Sequence, residues 1–323
     1  MTKYDVVGLG NAIVDVLAKV DDEFINEHNL PKGGMTLIEE KQAEDIYDKM
    51  PPAVEKSGGS AANTLAGIAS FGGTGAFIGK VKNDSLGKIF SHDLKAVGVH
   101  YETPPSESGA STARCLVAIT SDAQRTMATF LGATRGITED DINPELIKNS
   151  KILYLEGYLW DEAAAKEAMR KAVKLAKQYD KKVALSLSDP FCVDRHRAEF
   201  IELIRDGVDI LFANEEEIKS LFEAGDISST AEAFRSICEI VAITKGENGS
   251  VIVTSGDLIE IEAPKGLDVV DTTGAGDLYA SGFLYGLTQG KDLAECGRLA
   301  TISASEIISH VGARPEVKLA DLV

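Results

Sequence analysis

The stretch DTTGAGDLYASGF, from Asp271 to Phe283, combines groups of opposite electrostatic character in one turn. Gly274, Ala275 and Gly276 precede a run with helical periodicity, and the unpaired N–H groups at a helix start bind anions. Backbone N–H donors of this kind can stabilise charge on a phosphoryl group in transfer. Asp277 adds a carboxylate, which can take the proton of an attacking hydroxyl. The stretch predicts Asp277 as a general base beside an anion site, with simple helix capping by Asp277 as the alternative.

Two further stretches supply candidates for holding a hydroxyl-bearing molecule. In GLGNAIVDV, Asp15 has two acceptor oxygens that suit neighbouring hydroxyls of a ribose or another sugar. This stretch lacks the third glycine of a dinucleotide-binding loop, which disfavours a nicotinamide site. In SGGSAANTLAG, Gly58 and Gly59 permit close backbone approach, and the amide of Asn63 can both donate to and accept from a hydroxyl. The alternatives are a solvated turn for Asp15 and plain helix packing with Ser60 as the N-cap.

A second pair of stretches follows predicted strands in the later half of the chain. In ANEEE, Asn214 and Glu217 have the spacing of a helix capping box. They would also lie at the carboxyl end of a parallel strand, where open α/β sheets bind ligands. A glutamate there can orient waters around Mg²⁺. In ITKGENGS, Thr244 and Gly246 stand beside a turn; a hairpin explains the Asn-Gly pair well and Thr244 less well.

Strands alternate with helices along most of the chain, which predicts an α/β fold with a mainly parallel central sheet and helices on both faces. The residues near 13–39 and 112–131 are exceptions, because they are rich in β-strand patterns without intervening long helices. We expect them to form a small sheet near the ligand-binding edge of the main sheet, where it could act as a lid. Residues 1–323 are predicted to form a single domain carrying this lid.

The overall charge restricts the partners of the chain. Its 33 basic and 51 acidic residues give a net charge of −18, which repels nucleic acid and anionic membranes. Any bound phosphate must therefore be held by local backbone donors, a few basic side chains or a metal ion. The four cysteines are scattered without a CxxC pair, which indicates buried free thiols in a reducing compartment. With no signal-peptide profile at its start and no sufficiently apolar run, the chain is predicted to be cytoplasmic, with no membrane partner.

Two of these stretches resemble the signatures of a known family. The segment GGSAANTLAGIASFGG, continuing to GKVKNDSLG, and the later DTTGAGDLYASGFL are similar to the two signatures of the ribokinase-like (PfkB) family of carbohydrate and nucleoside kinases. The resemblance implies a ribokinase-like fold with a small β-sheet lid over the acceptor site. It also implies that Asp277 is the general base and that Gly274, Ala275 and Gly276 form the anion hole. By the same resemblance, Asn214 and Glu217 position Mg²⁺ and phosphate, and Thr244 and Gly246 line the nucleotide site. The acceptor would be held by Asp15, Gly58, Gly59 and Asn63.

Within the family, GNAIVDV, RTMATFLGA, SLSDPF and VDILFANEEE look most like adenosine kinases. By that resemblance Asn11 and Asp15 contact the ribose, and Arg125 reaches from the lid toward the phosphates, with a surface arginine as the alternative for Arg125. Two features leave the acceptor open. Thr273 stands where many adenosine kinases carry Asn. The tail SHVGARP is similar to the ribokinase-type loop that holds a monovalent cation, which makes activation by K⁺ an option.

The combined prediction is an ATP-dependent, Mg²⁺-requiring kinase that phosphorylates the primary hydroxyl of a ribonucleoside, with adenosine as the first choice. One alternative is a kinase acting on a free sugar, as a ribokinase or fructokinase does. Another is a binding protein that keeps the fold without the chemistry, which the joint presence of Asp277, the glycines before it and Glu217 disfavours. A nucleoside also needs an apolar slot for its base, for which Phe130, Tyr158 and Trp160 are candidates. The sequence is compatible with a monomer or a homodimer.

Overall fold

The computed structural model describes residues 2–122, 124–223 and 238–323. The strands are β1 Tyr4–Leu9, β2 Ile13–Lys19, β3 Met35–Leu37, β4 Val54–Gly58, β5 Gly75–Ile78, β6 His100–Tyr101, β7 Ala113–Ile119, β8 Arg125–Phe130, β9 Ser150–Glu156, β10 Lys182–Ser186, β11 Ile210–Asn214, β12 Ile240–Thr244, β13 Ser250–Thr254 and β14 Leu258–Ile261. The helices are α1 Asp22–Glu27, α2 Glu40–Tyr47, α3 Ser60–Ser70, α4 Ser85–Ala96, α5 Pro144–Lys148, α6 Ala163–Gln178, α7 Pro190–Gly207, α8 Glu215–Phe222, α9 Ala275–Thr288 and α10 Leu293–Ile307.

Nine strands form one large sheet in the order β14-β13-β12-β11-β10-β9-β1-β5-β6. The strands from β12 to β6 pair in parallel, and only β13 and β14 are added antiparallel. Every residue of β1 is buried, because helices cover both faces of a parallel sheet, and its central strands are accordingly mostly apolar. This arrangement confirms the predicted mainly parallel sheet.

The two faces of the large sheet have separate cores. On one face α5, α6, α7 and α8 pack against the strands, and on the other α3, α4, α9 and α10 do so. Helix α6 shows why: its buried residues recur at spacings of three and four, which places them on one side of the helix. These residues are Ala165, Ala168, Met169, Ala172, Val173 and Ala176. The predicted layers of helices on both faces are confirmed.

A second, five-stranded sheet has the order β3-β8-β7-β2-β4. In β2 the side chains alternate, so Val14, Val16 and Ala18 are buried while Asp15 lies on the opposite face. The core of this sheet includes residues from α1 and α2. Four of its strands fall within the predicted stretches 13–39 and 112–131, but β4 lies outside them. That strand ends at Gly58, immediately before α3, and so leads from the second sheet into the main one.

Two further sequence predictions concern the whole chain. All four cysteines are buried and free, as expected. Among the helices of the described residues, none has both the length and the apolar character needed to span a bilayer.

Candidate active site

A cavity of about 900 Å³ opens between the two sheets, at the carboxyl ends of the parallel strands β9 to β12. A second cavity of about 590 Å³ adjoins it and is lined by residues 244, 246–249, 263–267, 269, 272 and 308 and by parts of α9 and α10. Ligands bind at this edge in open α/β folds. The two cavities share Thr244, Thr272, Ala275, Gly276 and Tyr279. They therefore meet at the turn that the sequence analysis selected for its chemistry.

The carboxylate of Asp277 lies in the larger cavity, three residues into α9. It accepts hydrogen bonds from Ser60 Oγ at 2.6 Å and from Asn63 Nδ2 at 3.0 Å, and both donors belong to α3. The N-cap of α9 is Gly274 and no side chain caps the helix, so the capping alternative for Asp277 is wrong. Burial raises the pKa of Asp277, and the two hydrogen bonds oppose that rise. A raised pKa makes the carboxylate a better proton acceptor.

The turn before Asp277 has the backbone geometry that its glycines permit. Gly274 has φ of 79°, a left-handed conformation that residues with a Cβ avoid. Within the described part of the chain, the N–H groups of Gly274 and Gly276 have no acceptor. The N–H of Ala275 differs from the prediction, since it donates to the carbonyl of Thr272 at 3.2 Å. Two of the three predicted donors are thus free to meet an anion.

The acceptor candidates lie on the other side of Asp277. The carboxylate of Asp15 rests over Gly58, where an added Cβ would lie 2.4 Å from Asp15 Oδ2. Gly59 has φ of 93°, and a Cβ there would lie 2.2 Å from the carbonyl oxygen of Asn11. Gly59 is the N-cap of α3 and Ser60 bonds to Asp277 instead, so the alternative of Ser60 as N-cap is wrong.

Asp15 is a strand residue facing the cavity, not a solvated turn residue as the alternative had it. Burial raises its pKa to about 6, and the charges of Arg314 and Arg125 oppose this rise while Asp277 adds to it. Near neutral pH Asp15 is therefore ionised and able to accept hydrogen bonds from hydroxyls. Asn63 also lines this cavity, where its amide lies between Asp277 and Arg314.

Asn11 lines the same cavity, but its amide is bonded within the protein. Its Nδ2 donates to Glu156 Oε1 at 2.7 Å, and its Oδ1 accepts from Thr134 Oγ1 at 3.0 Å. The predicted contact of Asn11 with a ribose stays a prediction, and in this structure its amide also supports the site. Asn11 holds the loop against which Gly59 packs.

Sequence reasoning missed Glu156, the last residue of β9. Besides the Asn11 amide, it accepts the backbone N–H of Asn11 at 3.3 Å and of Ala61 at 3.0 Å. It thereby joins the end of β1 to the start of α3. Burial raises its pKa to about 7. The sequence could have indicated this residue, because Glu156 is an acidic residue at the end of the apolar strand in KILYLEG.

Arg125 begins β8 in the five-stranded sheet and reaches the turn of the main sheet. Its Nη1 lies 2.8 Å from Asp271 Oδ2 and 3.1 Å from Thr273 Oγ1. Its side chain is only 11% exposed, so the surface-arginine alternative is wrong. Asp271 also accepts the N–H of Gly312 at 2.9 Å. Asp271 thus connects Arg125 of the second sheet to the SHVGARP segment, and activation by K⁺ stays a prediction.

Asn214 and Glu217 form the predicted capping box at the start of α8, which is confirmed. Both carboxylate oxygens of Glu217 accept from Asn214, at 3.0 Å and 2.8 Å, and Glu217 lines the larger cavity. The described residues contain no cluster of three or more metal-ligating side chains. These observations fit Mg²⁺ bound mainly by phosphate oxygens and waters, with Glu217 near a water rather than in a protein cage.

Thr244 and Gly246 both line the smaller cavity. Thr244 ends β12, and Gly246 has φ of 57° in the turn toward β13. Of the three rings considered for an apolar slot, Tyr158 lines the larger cavity. Phe130 is instead buried in the core of the five-stranded sheet, and Trp160 in one core of the large sheet, so neither ring forms the apolar slot. The apolar lining of the larger cavity includes Ile13, Met35, Leu37, Met127, Leu131 and Phe191.

The buried carboxyl groups predict a pH-dependent stability. Burial raises the pKa of Glu156 and of Glu217 to about 7. The folded chain then keeps these protons after the unfolded chain has lost them, so the free energy of unfolding falls as pH rises toward 7. We expect the midpoint of thermal unfolding to fall by a few degrees between about pH 5 and about pH 7.5.

Calorimetry of wild type, Glu217→Gln and the exposed neighbour Glu216→Gln measures this effect. The Glu217→Gln protein is expected to show a smaller fall than wild type, and the Glu216→Gln protein the same fall. A midpoint that rises or stays level across this window in wild type contradicts the prediction.

Comparison with known proteins places the chain in a family. Residues 34–319 match the model for pfkB family carbohydrate kinases, so the chain belongs to that family. The adenosine kinase from Sinorhizobium meliloti is 47% identical, with a TM-score of 0.92 and coverage of 99% of this chain and 98% of that one. A probable sugar kinase protein from Rhizobium etli is 44% identical, with a TM-score of 0.93 and coverage of 100% and 98%. The 5-dehydro-2-deoxygluconokinase of Halalkalibacterium halodurans is 28% identical over 95% of this chain and 89% of its own length.

These findings confirm the ribokinase-like fold and the kinase class. The chain is a kinase that transfers a phosphoryl group from ATP to a hydroxyl group of a sugar or nucleoside. The similar proteins include adenosine kinases and sugar kinases alike, so the family does not by itself select the acceptor.

Proposed function

We propose that the protein phosphorylates the primary hydroxyl of a ribonucleoside, with adenosine as the acceptor. The observation that carries this proposal is the position of Asp277, which lies in the larger cavity next to Gly276, a residue that lines both cavities. The larger cavity places Asp15 beside an apolar wall that includes Ile13, Leu37 and Met127. A carboxylate for ribose hydroxyls next to an apolar slot suits a nucleoside better than a free sugar, which has no apolar base to bury. The likeness to an adenosine kinase at 47% identity supports the same choice.

In the proposed reaction the primary hydroxyl of the acceptor lies against Asp277. The hydroxyl oxygen forms a bond to the terminal phosphorus of ATP as the bridging P–O bond breaks, and the hydroxyl proton passes to Asp277. The hydrogen bonds from Ser60 and Asn63 hold the carboxylate in place. The N–H groups of Gly274 and Gly276 point their positive ends at the developing phosphoryl charge. Mg²⁺, when bound, would neutralise phosphate charge near Glu217.

The five-stranded sheet is proposed to act as a lid. Its strands carry Asp15 and Arg125. The position of the sheet therefore determines where Asp15 meets the acceptor and whether the guanidinium of Arg125 reaches Asp271. Closure excludes water, which would otherwise compete with the acceptor hydroxyl for the phosphoryl group.

A substrate panel tests the proposal. Release of ADP by purified protein with Mg-ATP is measured with adenosine, other ribonucleosides, ribose, fructose and 5-dehydro-2-deoxygluconate, each with and without K⁺. We expect the highest kcat/KM with adenosine, at least about 100-fold above the free sugars, because the sugars leave the apolar wall unfilled. Turnover of a sugar with no turnover of any nucleoside would favour the sugar-kinase alternative. Ligand binding without ADP release would indicate a binding protein.

A further inference from the structure

Three consecutive residues near the end of the described chain contact three different parts of the site. Gly312 donates its N–H to Asp271 Oδ2 at 2.9 Å, in the loop that leads into the turn before Asp277. Ala313 packs against Gly274, where an added Cβ would lie 3.0 Å from the Ala313 Cα. Arg314 donates from Nε to Asn63 Oδ1 at 3.3 Å, on the acceptor side. This short segment therefore joins Asp271, the turn before Asp277 and helix α3.

Arg314 is the charged member of the segment, and the burial of its guanidinium is unfavourable for the stability of the fold. Burial lowers the pKa of Arg314 to about 10, against the favourable charges of Asp15 and Asp93. Its Nη2 is buried and has no hydrogen-bond partner within the described residues. A guanidinium held out of water without full pairing destabilises a fold. A contribution to the site would account for its position.

The bond to Asn63 has a consequence for the general base. An amide can present either its oxygen or its NH₂ group to a neighbour, whereas a guanidinium has only donors. Arg314 can therefore face only the oxygen of Asn63. The NH₂ group must then point the other way, where it donates to Asp277 Oδ2 at 3.0 Å. Reversing the amide would turn its oxygen toward a carboxylate oxygen, which is unfavourable.

We propose that Arg314 is a positioning residue for phosphoryl transfer: it fixes the amide of Asn63, and through that amide the carboxylate of Asp277. The inference rests on the proposed function, because it assigns Asp277 as the base. Arg314 also supplies positive charge to Asp15. The other charged groups near Asp15 are Arg125 on β8 and Asp277 on α9, and its cross-strand neighbours are Cys115 and Lys56.

Two substitutions separate this role from simple packing. Arg314→Lys keeps a donor-only, charged group, whereas Arg314→Gln can donate or accept and carries no charge. We expect Arg314→Gln to lower kcat by about 10–100-fold and to raise the KM for the acceptor, with the KM for ATP within about twofold of wild type. The acid limb of kcat/KM for the acceptor should move to higher pH, since Asp15 loses the cation that helps to keep it ionised. Arg314→Lys should recover most of kcat and leave the acid limb near its wild-type position.

The measurements are steady-state kinetics over pH, with thermal unfolding of each variant and Arg298→Gln as a matched control. Arg298 is exposed on α10 and pairs with Glu295 at 2.8 Å, away from both cavities. Wild-type kinetics in Arg314→Gln would overturn the inference. So would equal losses in the Lys and Gln variants, or a loss in which the KM for ATP rises as much as that for the acceptor.

The acceptor used is whichever compound the wild-type protein phosphorylates fastest. If that compound is a sugar, the nucleoside proposal fails while the role of Arg314 is still tested on the same base. If adenosine is the best acceptor and Arg314→Gln matches wild type, only the role of Arg314 fails.

Discussion

Replacing Asp277 with Asn is expected to lower kcat by about 100–10,000-fold while the affinity for ATP stays within about twofold of wild type. An amide cannot take the proton of the acceptor hydroxyl. The new amide can turn its oxygen toward Nδ2 of Asn63 and its NH₂ group toward Oγ of Ser60, so both hydrogen bonds of the carboxylate have a counterpart. ATP affinity should persist, because the smaller cavity is formed by other residues and Asp277 does not line it.

The loss of transfer is measured as ADP release under saturating acceptor, and ATP affinity by calorimetry. Asp206→Asn is the matched control, since Asp206 is exposed on α7 and lines neither of the two cavities. If the thermal midpoint of Asp277→Asn stays near that of wild type while transfer is low, the defect lies in the chemistry and not in the fold. A kcat within about threefold of wild type in Asp277→Asn would remove its role as base.

Replacing Gly58 with Ala is expected to raise the KM for the acceptor by about 10–100-fold. The added Cβ would lie 2.4 Å from Oδ2, 2.6 Å from Cγ and 2.8 Å from Oδ1 of Asp15. No carboxylate can stay in place at these distances, so Asp15 must turn away from the position in which it faces the cavity. The KM for ATP should change little, because Gly58 belongs to the acceptor side of the site.

Gly136→Ala is the control for this experiment. A Cβ at Gly136 meets no atom within 4 Å and the residue lines neither cavity. The same acceptor titration is run on both variants, with thermal unfolding recorded alongside. An unchanged acceptor KM in Gly58→Ala would show that Asp15 is not needed for acceptor binding. A rise of equal size in both variants would point to a general effect of the methyl group.

The sequence predicted those features that depend on neighbouring residues. The alternation of apolar strands and helices was enough for the large sheet, and the spacing of Asn214 and Glu217 was enough for their capping box. The turn from Gly274 to Asp277 was found because its chemistry is contained in four consecutive residues. Strand β4 was outside the predicted stretches because VEKSG is short and has only two buried residues, both at its end.

The features that escaped prediction depend on contacts between distant parts of the chain. Ser60 and Asp277 are separated by 217 positions, and Arg314 and Asn63 by 251. A serine after two glycines looks locally like a helix cap, and nothing near it indicates a carboxylate partner. The bonds of Asn11 to Glu156 and Thr134 were likewise not foreseen, since they arise only when three segments meet.

The shared wall of the two cavities has a consequence for inhibitor design. Because Thr244, Thr272, Ala275, Gly276 and Tyr279 line both cavities, the cavities adjoin, and we expect one compound with a group for each cavity to bridge them. Once one group is bound, the tether between the groups raises the local concentration of the other, so such a compound should bind far more tightly than its separate halves. The tether length that gives the tightest binding would then report the distance between the two bound reactants.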